Sequence, residues 1–195
     1  MIQIRGRDRF DDGDIQLRAV VHYAKLVVSH GQCPYHKRMR WKLLPFDQLS
    51  ADQVYDLLAA RIEVFVVEQD CPYQDVDGRD RHALHCWAEN ASGVLAYGRV
   101  TAPGVRFAEP SIGRVITTQA GRGQGLGRAL MNRCISACEQ HWPEQAIRIS
   151  AQQYLERFYT SLGFVSVGGP YLEDNIPHLE MLRAVTSAQR DADSQ

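Results

Sequence analysis

Four glycines stand at alternate positions, Gly121, Gly123, Gly125 and Gly127, in the stretch TTQAGRGQGLGRAL, after which the chain runs straight into Arg-Ala-Leu-Met. Glycine loses more backbone entropy on folding than any other residue, so this density needs a local reason. The stretch lies between an apolar run, SIGRVITT, and an amphipathic segment that starts at Leu126. A loop in that setting presents free N–H groups and the positive end of a helix dipole, and glycines let an anion approach the amides with no Cβ in the way. A phosphate-bearing ligand is expected. Two familiar phosphate loops are excluded by spacing: GxGxxG would need glycine at Leu126 or Arg128, and GxxxxGK[ST] occurs nowhere in the chain.

A second stretch, DVDGRDRHALHC, invites a metal reading. Asp75, Asp77 and Asp80 begin like a calcium loop, but Arg79 occupies the third ligand position and Cys86 stands where glutamate belongs. His82-x-x-His85 lacks the remaining zinc ligands, so no metal is expected. The five cysteines, Cys33, Cys71, Cys86, Cys134 and Cys138, are scattered without a CxxC pair, which argues against a disulfide framework and fits a reducing cytoplasm. Cys134 and Cys138, four apart on one helix face, are read as packing residues.

Regular elements must position these groups. WKLLPF reads as a strand, and Ser50 to Val67 carries apolar residues at helical spacing behind a Ser50-x-x-Gln53 capping box. ALHCWAE and VLAYGRVTA, separated by Asn90-Ala91-Ser92-Gly93, predict an antiparallel hairpin, with SIGRVITT the next strand. After the glycine loop come a helix ending near Trp142-Pro143, the strand AIRISA, the helix YLERFYTSLGF, and final strands VSVGG and HLEMLR. The order β-α-β-β-β-α-β-α-β-β makes a mixed α/β sheet in one domain. Residues 1–39 have another texture and are expected to be a weakly ordered or docked extension, Met39 being an alternative start, and 184–195 a disordered tail.

Composition narrows the classes. A chain of 195 residues, 45% hydrophobic and 23% charged, suits a single well-buried core. A formal net charge of -1 argues against a nucleic-acid footprint or an acidic membrane as partner. The N-terminal MIQIRGRDRFDDGD is too acidic for a secretory leader, and no segment approaches the ~18 apolar residues of a membrane span, so a cytoplasmic location is expected.

RGQGLGRAL resembles the Arg/Gln-x-x-Gly-x-Gly/Ala signature of the GNAT superfamily of acyl-CoA N-acetyltransferases, and RFYTSLGF is similar to its second signature. RIEVFVVEQDCPYQDVDGRDRHALH with EDNIPHLEM looks like the ElaA-like group, so the resemblance covers 40–183. It implies a mixed, mostly antiparallel sheet flanked by helices and splayed between its fourth and fifth strands. It implies acetyl-CoA as co-substrate, with the loop residues Arg122, Gly123, Gln124, Gly125, Leu126, Gly127 and Arg128 on the pyrophosphate. The backbone of Val115, Ile116 and Thr117 would pair with the pantetheine, and Gln152 stands where the family often has asparagine.

By the same resemblance Tyr159 is the acid that protonates the departing thiolate; periodicity alone would make it a core tyrosine. For the base that deprotonates the acceptor, Glu68, His178 and Glu180 stay open, each with a plain structural alternative: a solvated helix end, a strand-start histidine and an exposed strand position. Carboxylates of the 75–80 loop are expected to attract a cationic amine. No cysteine lies in either signature, which disfavours an acetyl-enzyme and favours direct transfer to a primary amine of a small molecule or peptide. A different class, a non-catalytic acyl-CoA sensor or partner-binding module, remains beside the enzyme, and a homodimer stays open.

Overall fold

The computed structural model describes residues 38–185; the expected N-terminal extension and most of the C-terminal tail lie outside the described residues. The first strand, β1 (Arg40–Pro45), leads to helix α1 (Ala51–Ile62), which continues as a π-helical turn, Glu63–Glu68. The capping box forms: Gln53 N–H donates to Ser50 Oγ at 3.2 Å, and Ser50 N–H to Gln53 Oε1 at 2.9 Å. Then follow β2 (Ala83–Asn90), β3 (Gly93–Thr101), β4 (Ser111–Thr117), α2 (Leu126–His141), β5 (Ile147–Gln152), α3 (Glu156–Thr160), β6 (Val165–Ser166), β7 (Tyr171–Glu173) and β8 (Ile176–Arg183). Strand β7 is an addition to the expected order. The last helix is also shorter than its apolar run suggests, because Gly163 at φ 87° turns the chain into Phe164.

One eight-stranded sheet runs β1-β2-β3-β4-β5-β8-β6, with β7 on β8. Every pairing is antiparallel except β4–β5. Helices α2 and α3 cover one face, where Leu130, Met131, Cys134, Ile149, Phe164 and Met181 are buried, while α1 covers part of the other over Trp87, Tyr97 and Ile116. Cys134 and Cys138 are packing residues here, and burial holds the Cys138 thiol up at about 12, so both are inert at neutral pH.

The glycine loop is anchored at one point by packing. A Cβ on Gly121 would sit 2.1 Å from the Leu95 carbonyl oxygen, a main-chain atom of β3 that cannot swing aside. Gly121 is thus the residue that lets the loop lie against the sheet. Gly121→Ala is expected to lower the unfolding free energy by about 1–3 kcal/mol, the usual cost of forced overpacking, in chemical denaturation. An unchanged midpoint would mean that β3 can retreat.

Candidate active site

Strands β4 and β5 touch at one pair, Ser111↔Arg148, reinforced by Arg148 N–H donating to Pro110 O at 3.0 Å. Beyond it they diverge, and Ile112–Thr117 and Ile149–Gln152 line a cleft of about 600 Å³. The side of β4 turned from β3 is therefore an open edge over Val115, Ile116 and Thr117, with backbone donors and acceptors available to an extended ligand. A bulge starts the divergence: the β3–β4 register slips between Tyr97 and Arg99, and Arg114 takes φ 53°, left-handed for a non-glycine residue.

At the open end lies the glycine loop. Gly123 (φ 74°) and Gly125 (φ 72°) are left-handed, and a Cβ on either would meet nothing within 4 Å. Gly125 is the N-cap of α2 and no side chain caps that helix, so its first N–H groups face outward. These features fit a phosphate group, and the open β4 edge fits an amide-bearing arm. Not every loop side chain is directed to a ligand. Leu126 is buried in the core, Gln124 donates to Ala120 O at 2.7 Å, and Arg128 donates to Ser161 Oγ at 2.8 Å while lying over the Phe158 ring. Arg122 lines the cleft and ion-pairs with Glu68 across its mouth, beside Gln152, whose amide donates to Gln69 Oε1 at 3.3 Å.

Tyr159 belongs to core and cleft at once. Its ring packs edge-on against Phe158 and Phe164 at centroid distances of 5.0 and 6.2 Å, yet the residue lines the cleft. Burial pushes its phenol up, with Tyr154 and Cys134 acting in the same direction, so it stays protonated at neutral pH.

Strand alternation separates the two halves of the cleft. On β5, Ile147, Ile149 and Ala151 turn into the core under α2 and α3, which leaves Arg148, Ser150 and Gln152 on the opposite face. The β5–β8 register, Ser150↔Glu180 and Gln152↔His178, adds Glu180 and His178 to that face. His178 lines the cleft; its Nδ1 lies 2.8 Å from Ile176 O and must donate, so in the neutral ring Nε2 carries the lone pair. Glu180 is not among the cleft-lining residues: it pairs with Arg148 at 2.8 Å, which also holds Glu109 at 2.7 Å. Of the three base candidates, only His178 is brought to the cavity wall.

Two features escaped the sequence reading. On this same face Glu173 of β7 meets Arg106 Nη2 at 3.1 Å and accepts from Ser150 Oγ at 2.7 Å, and Tyr171 lies 2.6 Å from Ser150 Oγ. Since Ser150 gives its proton to the carboxylate, Tyr171 donates to Ser150. Burial opposes the Glu173 anion, but the Ser150 bond and the Arg106 charge outweigh it and hold its carboxyl low. These partners lie 67 and 23 residues apart in the chain, with no local pattern to announce them.

The second feature corrects an expectation. Carboxylates of the 75–80 loop do not face the acceptor as free anions, because arginines consume them. Asp75 meets Arg61 Nε at 2.9 Å and Arg114 Nε at 2.8 Å, Asp80 meets Arg61 at 2.7 Å and Arg99 at 3.0 Å, and Arg99 takes both oxygens of Asp77 at 2.7 Å. The two contacts to Asp75 are charge contacts without hydrogen-bond alignment. Beneath them neutral His85 donates from Nε2 to Asp80 O at 3.0 Å and accepts from Tyr97 at 2.9 Å, and burial lowers its pKa.

The comparisons with known proteins agree with this fold. A family model described as an acetyltransferase (GNAT) domain matches residues 47–184. The ElaA protein of Escherichia coli strain K12 is 41% identical over 155 residues, covering 77% of this chain and 99% of that protein. A crystal structure of an acyl-CoA N-acyltransferase from Pseudomonas aeruginosa is 43% identical with a TM-score of 0.72, over 75% of this chain and 100% of that one. The crystal structure of Escherichia coli ElaA superimposes with a TM-score of 0.71 at 39% identity, over 75% and 99%.

The ion-pair network has a pH signature. Burial works against the Asp77 anion, yet the Arg99 bonds and charge, followed by Arg79, hold its carboxyl well below the usual carboxylate range. A depressed folded-state pKa gives stability that is present above the unfolded value of about 3.9 and is lost as pH falls through the folded one. Asp77→Asn should therefore melt below the parent at neutral pH, by about 3 kcal/mol for a broken buried pair, with the gap narrowing below about pH 4. Thermal melts across pH test this; a constant gap would deny the network its charge.

Proposed function

The chain belongs to the GNAT acetyltransferase family, and from that membership we propose that it moves an acetyl group from acetyl-CoA to a primary amine of a small molecule or peptide in a direct ternary complex. One observation carries the reading: a splayed β4–β5 cleft has an uncapped, left-handed glycine loop at its open end and a protonated tyrosine in its wall. Acetyl-CoA, when bound, supplies an acyl group activated as a thioester.

The residues divide the remaining work. The amides of the loop and the α2 N-terminus, with Arg122, hold the pyrophosphate, and this asks Arg122 to leave Glu68. That exchange costs little, because both side chains are partly exposed. The β4 edge pairs with the extended arm and aims one N–H at the acyl carbonyl. On the opposite face His178 Nε2 accepts the proton of the acceptor ammonium, directly or through water, freeing the nitrogen lone pair to form the new C–N bond. As the C–S bond breaks, the Tyr159 hydroxyl gives its proton to the sulfur. Glu180 stays the partner of Arg148 in this scheme, and Glu68, which Arg122 leaves, is outside the cleft lining, so neither serves as the base.

Incubation with acetyl-CoA and an amine panel, following free thiol and acetylated product by mass spectrometry, tests the activity; CoA binding by calorimetry with no turnover on any amine would support the sensor instead. Two substitutions divide the machinery. Tyr159→Phe should lower kcat by roughly 10²-fold with the fold retained, since no side chain among the described residues is recorded as hydrogen-bonding the hydroxyl. Parent turnover in that variant would remove Tyr159 as the acid. Gly125→Val should weaken CoA binding at least about tenfold, because valine resists φ 72° and its branch would enter the space left for phosphate. Unchanged affinity in a folded protein would move the pyrophosphate elsewhere.

A further inference from the structure

The acceptor face joins unlike charges in a way that bears on the substrate. Arg106 and Glu173 meet through a single guanidinium nitrogen, Nη2, which contacts Oε1 at 3.1 Å and Oε2 at 3.3 Å. Among the described residues the other Arg106 nitrogens have no hydrogen-bond partner, and Oε1 accepts from Arg106 alone, while Oε2 also takes Ser150 and has the Tyr171 hydroxyl at 3.5 Å. The pair keeps spare donors beside spare acceptors. It also lies at the deep end of the splay: Arg106 Nη1 is 3.8 Å from where a Cβ on Gly113 would stand, one residue before the bulge at Arg114.

A plain amine would be drawn to Glu173 and repelled by the guanidinium beside it; a plain acid would meet the reverse. A molecule carrying both charges suits both groups. In an α-amino acid the ammonium nitrogen and the nearer carboxylate oxygen are about 2.7 Å apart by standard bond lengths, close enough for one molecule to face both a carboxylate and a guanidinium that stand 3.1 Å apart. Such a zwitterion can lie antiparallel along the pair without breaking it. Nearby Asp77 and Arg114 are already committed to each other and to Arg99 and Asp75, so they do not disturb this balance. His178, whose ring lies 6.1 Å from that of Tyr171, lines the same cleft as Glu173 and would take the ammonium proton there.

We propose that the acceptor is a free amino acid or a close analogue, with Glu173 holding its ammonium and Arg106 its carboxylate. This rests on the acetyltransferase reading above and names the substrate class of the same cleft. The test is a panel of α-amino acids, each beside its methyl ester and its decarboxylated amine, assayed for acetylated product and thiol release. At least one amino acid should exceed both of its partners by about tenfold or more in kcat/KM. Arg106→Gln should collapse that ratio to near one, through KM rather than kcat, and Glu173→Gln should raise KM for amino acid and amine alike. A role confined to tying the hairpin down would move melting temperature and leave the ratio intact. Acetylation of esters or simple amines equal to that of the acids overturns the proposal and leaves the acetyltransferase standing, whereas no acetylated product from any member of the panel overturns both.

Discussion

The buried exchange of charge between Asp75, Asp77 and Asp80 and the arginines Arg61, Arg99 and Arg114 is the constraint on which the rest of the site depends. The loop that carries the aspartates has turn chemistry and little apolar surface, so it cannot hold itself against the sheet by hydrophobic burial. It is fastened instead to the last turn of α1 by Arg61, to β3 by Arg99 and to β4 by Arg114. A buried ion pair gives modest net stability relative to an apolar replacement, but losing one partner leaves an unpaid charge, so such a network enforces one geometry. Here the geometry is that of the acceptor wall, because Tyr73, Asp77 and Arg79 line the cleft.

The same network reaches the strand that opens the cleft. A left-handed arginine costs of order 1–3 kcal/mol, and Arg114 is held there by its contacts to Asp75 and Asp77. The bulge reorients β4 just after its one contact with β5, and the sheet parts. A backbone edge that would normally be paired is thus left open. Because strand side chains alternate, the helix-covered face offers Tyr159 and the opposite face offers His178 and Glu173, an arrangement that suits the proposed meeting of two substrates at the gap.

Local signals in the sequence carried far. The capping box at Ser50, the hairpin turn at Asn90–Gly93 and the helix start after the glycine loop are all specified within a few residues of one another, and all form as expected. The sequence reads the glycine loop as an anion site, but its four glycines look alike there. Only the fold separates Gly121, which packs on Leu95 O, from Gly123 and Gly125, which turn left-handed beside open space. The acidic loop was misjudged for a related reason: its neutralising arginines lie 14 to 39 residues away on three elements, and a one-dimensional pattern shows the carboxylates without their partners. Arg106 and Glu173 were invisible in the same way.

The placement of arginines also decides where proton transfer can occur. Glu68 shares its carboxylate with Arg122, Glu180 with Arg148, Asp77 with Arg99, and Glu173 with Arg106. A carboxylate that accepts from a guanidinium has lone pairs already occupied. Such groups are suited to holding charge in place. An imidazole whose Nδ1–H is fixed on a carbonyl is suited to the opposite task, since its remaining nitrogen has no competing partner among the described residues and its ring cannot rotate without losing the bond. In the function proposed above, the cleft would divide its labour by chemistry: arginine–carboxylate pairs would set orientation, the imidazole would move the proton from the amine, and the buried phenol would keep its proton until a thiolate needs it.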